Sequence, residues 1–223
     1  MSLLLLGAGA VRAIARRGIG SNATGTTASS VVDKPTGTVQ NDVIVVQLCA
    51  GVETNTFSAP DGTWTRRVGA LPSGSERIEV WFKVAGDAEP ATYTFTQSGA
   101  GPWSGQSVAY SGVSGADPVP AGSAGSKGEP VATTTITSDT ITPGSNNMML
   151  LVFGFVDDAS STTWTEQSGA MTELWDFQEA TSFIGIAAYE QLLSGGSGVG
   201  ITRQLNLSAS DELGMAWACL KTG

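Results

Sequence analysis

The sequence contains no histidine among its 223 residues. This absence removes the most common general base, the histidine-assisted serine and cysteine nucleophiles, and most familiar zinc sites. Basic residues are also scarce, because 11 Lys and Arg stand against 20 Asp and Glu for a net charge of −9. A nucleic-acid-binding protein needs a basic surface to displace phosphate counterions, so the composition argues against that role.

Cysteine is nearly absent as well. Cys49 and Cys219 lie far apart in apolar segments, and we expect two buried free thiols, although a long-range disulfide stays open. The sequence has no Walker-type phosphate loop and no G-x-S-x-G nucleophile elbow. The acidic pairs at 157–158 and 211–212 lack the ligand spacing of a calcium loop. We therefore predict no cofactor, no metal site and no enzymatic activity.

The remaining composition is typical of a β-rich globular domain. Hydrophobic residues make up 41% of the chain, which is too many for a compositionally disordered protein. The 29 glycines follow no collagen-like period, and β-branched residues are scattered among Ser- and Thr-rich segments. Such a pattern favours many short strands that are joined by tight turns.

The first segment, MSLLLLGAGAVRAIARRG, combines four leucines with three arginines. An export signal carries its positive charge before its apolar residues, and here the order is reversed. The apolar run is also shorter than the roughly 20 residues of a membrane span. Its apolar residues recur at helical spacings, at Leu3, Leu6, Ala10, Ala13 and Ile14. The segment therefore predicts an N-terminal helical arm over residues 1–20, ended by Gly18 and Gly20, and then a flexible tether over residues 21–34.

A helix of this length is marginal alone in water, so its apolar side needs a surface that covers it. We expect that surface to belong to a partner protein. The residues predicted to dock are Leu3, Leu4, Leu5, Leu6, Val11, Arg12, Ile14, Arg16 and Arg17. Packing of the arm on its own domain, or a poorly cleaved signal, stays open as an alternative.

Beyond the tether, the same order of features occurs twice, at an offset of about 100–112 residues. The matched segments are 35–48 with 142–155, the TWT triplets 63–65 with 163–165, 78–85 with 183–192, 92–96 with 204–208, and 103–113 with 213–223. In the fourth pair, Tyr93 and Phe95 correspond to Leu205 and Leu207, and alternation predicts that all four point into a core.

The short strands and frequent turns predict an all-β fold, a jelly-roll-like antiparallel β-sandwich over residues 35–223. Its two pseudo-repeated halves would be residues 35–113 and 131–223, joined by a Gly/Pro/Ser linker over 114–130. One sandwich is favoured because each half alone would have a marginal core, and two small sandwiches are the alternative. Within 78–84, alternation predicts that Glu79 and Lys83 face water.

Five motifs follow one another along the chain: the turn and buried strand around Asn41-Asp42, the Gly-x-Trp at 62–64, WFKVAG at 81–86, TYTFT at 92–96 and AYSGV at 109–113. Together they resemble accessory virion proteins of tailed bacteriophages. The MSLLLL start is similar to that of some members. The resemblance implies a β-sandwich component of a tail fibre, head fibre or capsid decoration, and its motifs are structural rather than catalytic.

The segment TELWDFQEA (172–180) is the strongest candidate for a ligand site. It places Glu173 and Asp176 beside Trp175, and sugar-binding proteins combine carboxylates with stacking aromatic rings. Paired carboxylates are also the machinery of glycosidases, which keeps a glycan depolymerase as a distant alternative. Acidic residues with a structural role beside packed aromatic residues would give the same sequence pattern, and this is the interpretation we favour.

The sequence thus predicts a structural virion component that its arm anchors to other virion proteins, such as capsid, portal, neck or tail subunits. Arms that meet on a symmetry axis would bury their leucines mutually, so we expect a homo-oligomer, with a trimer favoured. Contact with a host glycan would involve Trp175, Glu173 and Asp176. A carbohydrate-binding module without a virion role is the alternative. We expect no nucleic-acid partner and no membrane insertion.

Overall fold

The structure is a computed structural model that describes residues 13–70, 76–157, 162–178, 184–195 and 198–223. These residues form fifteen β-strands and no helix, and so none of them belongs to a helix that could cross a membrane. The strands are β1 (Ala15–Ile19), β2 (Ala23–Gly25), β3 (Ser29–Asp33), β4 (Val43–Ala50), β5 (Phe57–Ser58), β6 (Thr65–Ala70), β7 (Arg77–Val84), β8 (Thr92–Gln97), β9 (Trp103–Ser111), β10 (Ala124–Thr137), β11 (Met148–Asp157), β12 (Trp164–Glu166), β13 (Thr172–Gln178), β14 (Ile184–Leu193) and β15 (Gln204–Leu220). The prediction of an all-β chain is confirmed.

The strands form three antiparallel sheets. Sheet I has the order β1-β9-β4-β7-β6, with β2 also paired to β9. Sheet II has the order β10-β15-β11-β14-β13, with β12 also paired to β15. Sheet III is the small sheet β3-β8-β5. The architecture is therefore a sandwich-like arrangement of antiparallel sheets.

Sheets I and II have the same strand order, which gives the internal repeat a structural form. In each sheet the central strand (β4 or β11) lies between β7 or β14 and the last strand of its half (β9 or β15). Val43 pairs with Tyr110 and Met149 with Leu220, so the register matches Val43 to Met149 and the sequence alignment of 35–48 with 142–155 is wrong by one residue. In half two, the single strands β10 and β15 replace the separate strands β1, β2, β3 and β8, β9 of half one.

Two asparagines mark the same point of the repeat. Asn41 (φ 69°) and Asn147 (φ 57°) are the non-glycine residues with positive φ in the described part of the chain. Each stands just before the central strand of its sheet. Asparagine tolerates this left-handed conformation better than most residues, so both halves enter the central strand through the same turn chemistry.

The matched TWT triplets are not structurally equivalent. Trp64 directly precedes β6, which pairs with β7, whereas Trp164 begins β12, which pairs with β15. Both tryptophans are buried, but Trp64 lies outside the strands and Trp164 lies within one. The sequence alignment was wrong at this point because a short motif repeated by side-chain type does not fix strand pairing.

One large apolar core lies between sheets I and II and contains side chains from both halves. Val43, Val45 and Cys49 of β4 face Leu151, Phe153 and Phe155 of β11 within it. A second cluster, with Val32, Tyr93 and Phe95, lies between sheet I and sheet III. A third, with Ile136, Leu205 and Leu207, covers the far face of sheet II with the ends of β10 and β15. The predicted core positions Tyr93, Phe95, Leu205 and Leu207 are therefore confirmed as buried.

The prediction that Glu79 and Lys83 face water is wrong. Glu79 is fully buried and Lys83 is 7% exposed, because sheet III covers the outer face of sheet I. The strands of sheet III come from distant parts of the chain, so alternation within β7 carried no signal of this cover.

The prediction of a helical arm is wrong from Ala13 onward, because Ala15–Ile19 forms β1 and pairs with β9. Gly18 ends no helix. An ideal Cβ there would lie 2.3 Å from the carbonyl oxygen of Thr36, so glycine permits the close approach of β1 to that turn. Residues 21–34 form no simple tether, since they contain β2 and β3, and β10 begins inside the expected linker. Backbone pairing with distant strands prevails over the local helical spacing.

Candidate functional site

Of the predicted docking residues that the structure describes, Ile14 is buried, whereas Arg16 and Arg17 are exposed and ion-paired within the chain. Ile14 is buried in the core between sheets I and II. Arg16 Nη1 lies 3.1 Å from Glu190 Oε1, whose other oxygen accepts a 2.7 Å hydrogen bond from the Tyr110 hydroxyl. The remaining docking residues, Leu3, Leu4, Leu5, Leu6, Val11 and Arg12, lie outside the described residues.

Arg17 forms a second internal ion pair. Its Nε lies 3.2 Å from the carboxylate of Asp42, which is nearly inaccessible and also accepts a 2.9 Å hydrogen bond from the Val39 amide. The pair links β1 to the turn that precedes β4. Arg16 and Arg17, two of the three arginines that were expected to meet a partner, therefore attach β1 to the rest of the chain.

Trp175 is buried in the core between the two halves. Its ring centroid lies 6.3 Å from that of Phe153, and its indole nitrogen donates a 3.1 Å hydrogen bond to Gln47 Oε1. Gln47 in turn donates a 3.0 Å hydrogen bond from Nε2 to the Gly154 carbonyl oxygen. An enclosed ring offers no face for stacking on a sugar, so the predicted glycan-binding role of Trp175 is wrong.

The two neighbouring acids do not form a site with Trp175. Asp176 is half-buried and accepts a 2.8 Å hydrogen bond from the Trp164 amide through Oδ2. Burial raises the pKa of Asp176, the Trp164 amide lowers it, and the charge of Glu173 raises it further, with a net increase. Glu173 is exposed. These three residues share β13, but the structure gives Trp175 and Asp176 separate structural partners.

An ionisable cluster with several internal hydrogen bonds lies on the outer face of sheet I. Lys83 Nζ is 2.9 Å from Glu89 Oε1, and the Tyr93 hydroxyl donates a 2.8 Å hydrogen bond to Glu89 Oε2. The Gly86 amide donates to the same carboxylate at 2.7 Å. The Lys83 ammonium also lies 5.5 Å from the Trp64 ring centroid, a cation–π distance.

Burial alone would raise the pKa of Glu89, but the hydrogen bonds from Gly86, Lys83 and Tyr93 lower it below its ordinary value. Burial and the adjacent carboxylate raise the pKa of Tyr93. Every charged group in this cluster has a partner within the chain, so the arrangement stabilises the packing of sheet III on sheet I. Sequence reasoning missed it because Glu89 lies in a loop and Lys83 was expected to face water.

A second buried carboxylate lies next to this cluster. Glu79 accepts hydrogen bonds from Arg77 Nε at 2.7 Å, from Trp81 Nε1 at 2.9 Å and from Arg66 Nη1 at 3.2 Å. The Phe57 amide of sheet III donates to it as well. The two arginines neutralise the buried charge, which again is a structural arrangement.

The outer face of sheet II has a different chemistry. Tyr189 of β14, which the strand register matches to Trp81 of β7, is buried there. Burial raises the pKa of its hydroxyl, with additional contributions from Glu173, Asp176 and Glu166. Its hydroxyl has no hydrogen-bond partner among the described residues. The two halves thus share a fold but not a polar cluster.

The described residues contain no group of three His, Cys, Asp or Glu side chains close enough to hold a metal ion. Cys49 and Cys219 are both free and buried, as predicted. Burial raises the pKa of both thiols, to about 12 for Cys219. In the Gly-rich segment 195–200, Gly195 and Gly198 have positive φ and connect β14 towards β15, as expected for a loop between strands.

Comparison of the chain with protein-family models, with curated proteins and with solved structures finds no match.

Proposed function

We propose that this chain is a structural component of a tailed-bacteriophage particle, in the manner of a fibre or capsid-decoration protein. The resemblance of its motifs to accessory virion proteins supports the proposal. A jelly-roll-like topology of the sandwich belongs to the same proposal. In this role the chain supplies a rigid body rather than a reaction.

The observation that carries the proposal is the way in which the chain uses its buried charges. Glu79 is bound by Arg66 and Arg77, and Glu89 is bound by Lys83. Each of these carboxylates connects strands of different sheets or of distant parts of the chain. A catalytic site would need its charged side chains free to react. Here these charged side chains are ion-paired and hold the sheets together.

Attachment to the particle is assigned to residues 1–12, since Arg16 and Arg17 are paired within the body. The segment carries the leucines Leu3 to Leu6, which would contact other virion proteins, and a trimer of the body is the oligomer we favour. The sugar-binding alternative has lost Trp175 as its stacking residue, and no other observation favours it. A host-glycan contact would therefore require residues other than those the sequence suggested.

The experiment compares particles made with the intact chain, with a deletion of residues 2–12, and with an Arg16→Ala/Arg17→Ala variant. Antibody labelling in electron microscopy should place the intact chain on the particle. The deletion should abolish labelling while the purified body keeps a β-type circular dichroism spectrum. The double arginine variant should attach, because its residues pair within the chain. Normal attachment of the deletion variant, or no labelling of any particle, would contradict the proposal.

A further inference from the structure

A small apolar pocket lies where the described chain begins. Ala13, Ile14, Asn147, Leu192 and Thr222 line it, and its volume is about 250 Å³. It opens at the end of the core between sheets I and II, because Ile14 belongs to that core. The pocket is thus an extension of the main core to the surface.

Leu192 is the exposed wall of this pocket. The preceding residues on the same face of β14, Ile184, Ile186 and Ala188, are fully buried. Leu192 continues their row beyond the Arg16–Glu190 ion pair, yet 46% of its surface is exposed. The described residues therefore leave the last apolar position of this row uncovered.

The chain enters the pocket directly from its leucine-rich segment, residues 2–12. Only six residues separate Leu6 from Ala13, so the chain length limits the distance between their Cα atoms to at most about 25 Å. Gly7 and Gly9 allow the backbone to reverse direction at low steric cost. The segment contains no acidic residue, and its four consecutive leucines match an apolar wall.

We propose that this pocket binds the leucines of residues 3–6 from the same chain. Tethering favours this occupant over a second copy, because a short linker gives an effective concentration in the millimolar range, far above that of a separate molecule. In the unattached protein the leucines are then covered by Ile14 and Leu192. Attachment to any partner first requires their release, so the pocket regulates when the segment is available.

The proposal goes beyond the proposed function, since it concerns the isolated chain and requires no particle. It is tested with the purified full chain carrying Leu5→Cys and Leu192→Cys, under mild oxidation. The native thiols Cys49 and Cys219 are buried with raised pKa values, so they will not compete. The matched control pairs Leu5→Cys with Val131→Cys. Val131 is 76% exposed and, by strand register, lies near Leu213 at the opposite end of sheet II from Leu192.

The expected result is an intrachain disulfide in a monomeric product for the Leu192 pair, formed at least tenfold faster than for the Val131 pair. An interchain product would assign the pocket to a second copy and overturn the proposal. Equal rates for the two pairs would overturn it as well.

A second measurement avoids cysteines and uses trypsin cleavage after Arg12, followed by mass spectrometry. Leu192→Asp should accelerate this cleavage severalfold, whereas Val131→Asp should not, and cleavage after the ion-paired Arg16 should stay slow in both variants. Equal cleavage after Arg12 in the wild type and in both variants would also contradict the proposal.

Discussion

The Trp175 indole nitrogen donates a 3.1 Å hydrogen bond to Gln47 Oε1 across the core that joins the two halves. Gln47 is fully buried, and its amide nitrogen donates to the Gly154 carbonyl oxygen. A single side chain of half one thus satisfies a donor and an acceptor of half two. In the repeat, Gln47 takes the position that Phe153 has in β11, so this polar link exists on one side only.

Replacement of Gln47 by leucine should destabilise the whole chain. The substitution leaves the Trp175 N–H without its acceptor and removes the side-chain hydrogen bond to the Gly154 carbonyl, and a buried unsatisfied group costs about 1–3 kcal/mol. The free energy of unfolding from urea titration measures the loss. Trp175→Phe in the same background removes the unpaired donor, so the double variant should lose less than the sum of the single ones. Strict additivity would show that this hydrogen bond is not energetically coupled.

Truncation of Phe95 or Leu207 to alanine should cost about 2–5 kcal/mol in each case, because both side chains are buried in the equivalent small clusters of the two halves. Thermal and urea denaturation test this loss. Thr94→Ala is the matched control, since Thr94 is an exposed neighbour in the same strand and should change the stability by less than about 0.5 kcal/mol. A neutral result at Phe95 would disprove the assigned packing of sheet III.

Lys83→Met should remove the charge partner of Glu89 and cost about 3–5 kcal/mol, as expected when one member of a buried pair is lost. The pKa of Glu89 is lowered from its ordinary 4.5, so the stability that its ionised form contributes is present above pH 4.5 and lost as the pH falls through the folded pKa. The variant should therefore lose part of this acid-dependent slope in stability between neutral and low pH.

Lys127→Met provides the matched control for this substitution. Lys127 lies 3.2 Å from Glu129 in an ion pair of which about a third of each side chain is exposed, and such pairs contribute roughly 0–1 kcal/mol. Similar losses for the Lys83 and Lys127 variants would contradict the structural role assigned to the Glu89 cluster.

Asp176→Asn should stabilise the chain at neutral pH, in contrast to Lys83→Met, which should destabilise it. Burial is the main cause of the raised pKa of Asp176, so its charged form opposes folding, and the resulting stability at low pH is lost as the pH rises through that pKa. Asparagine keeps an acceptor for the Trp164 amide without the charge. We expect a small gain in the free energy of unfolding at pH 7, limited by solvent screening of this half-buried group, and no difference near pH 3. Glu173→Gln, at an exposed position, should have a smaller effect at pH 7, because it removes only the contribution of the Glu173 charge to the pKa of Asp176.

The sequence predicted the core positions best where the burial of one strand face determines the side-chain pattern. The alternation in TYTFT and QLNLS placed Tyr93 and Leu207 in the core, because a half-covered strand must bury one face. The sequence-based predictions failed for Lys83 and for Trp175, because the burial of these side chains depends on sheets that assemble from distant segments of the chain. No local pattern of β7 or β13 could reveal that a second layer covers them. The spacing of apolar residues around Ile14 predicted a helix. Such spacing takes no account of backbone pairing, and Ala15–Ile19 forms β1 at the edge of sheet I.

The single core between sheets I and II has a consequence for synthesis of the chain. The strands of sheets I and III all lie within residues 15–111, so half one contains every strand of these two sheets before half two is synthesised. If half one pairs its strands at that stage, Val43, Val45 and Phe82 form part of an apolar sheet face that has no cover. Exposed apolar sheet faces associate, so faster synthesis of half two would shorten the interval in which copies of half one could aggregate.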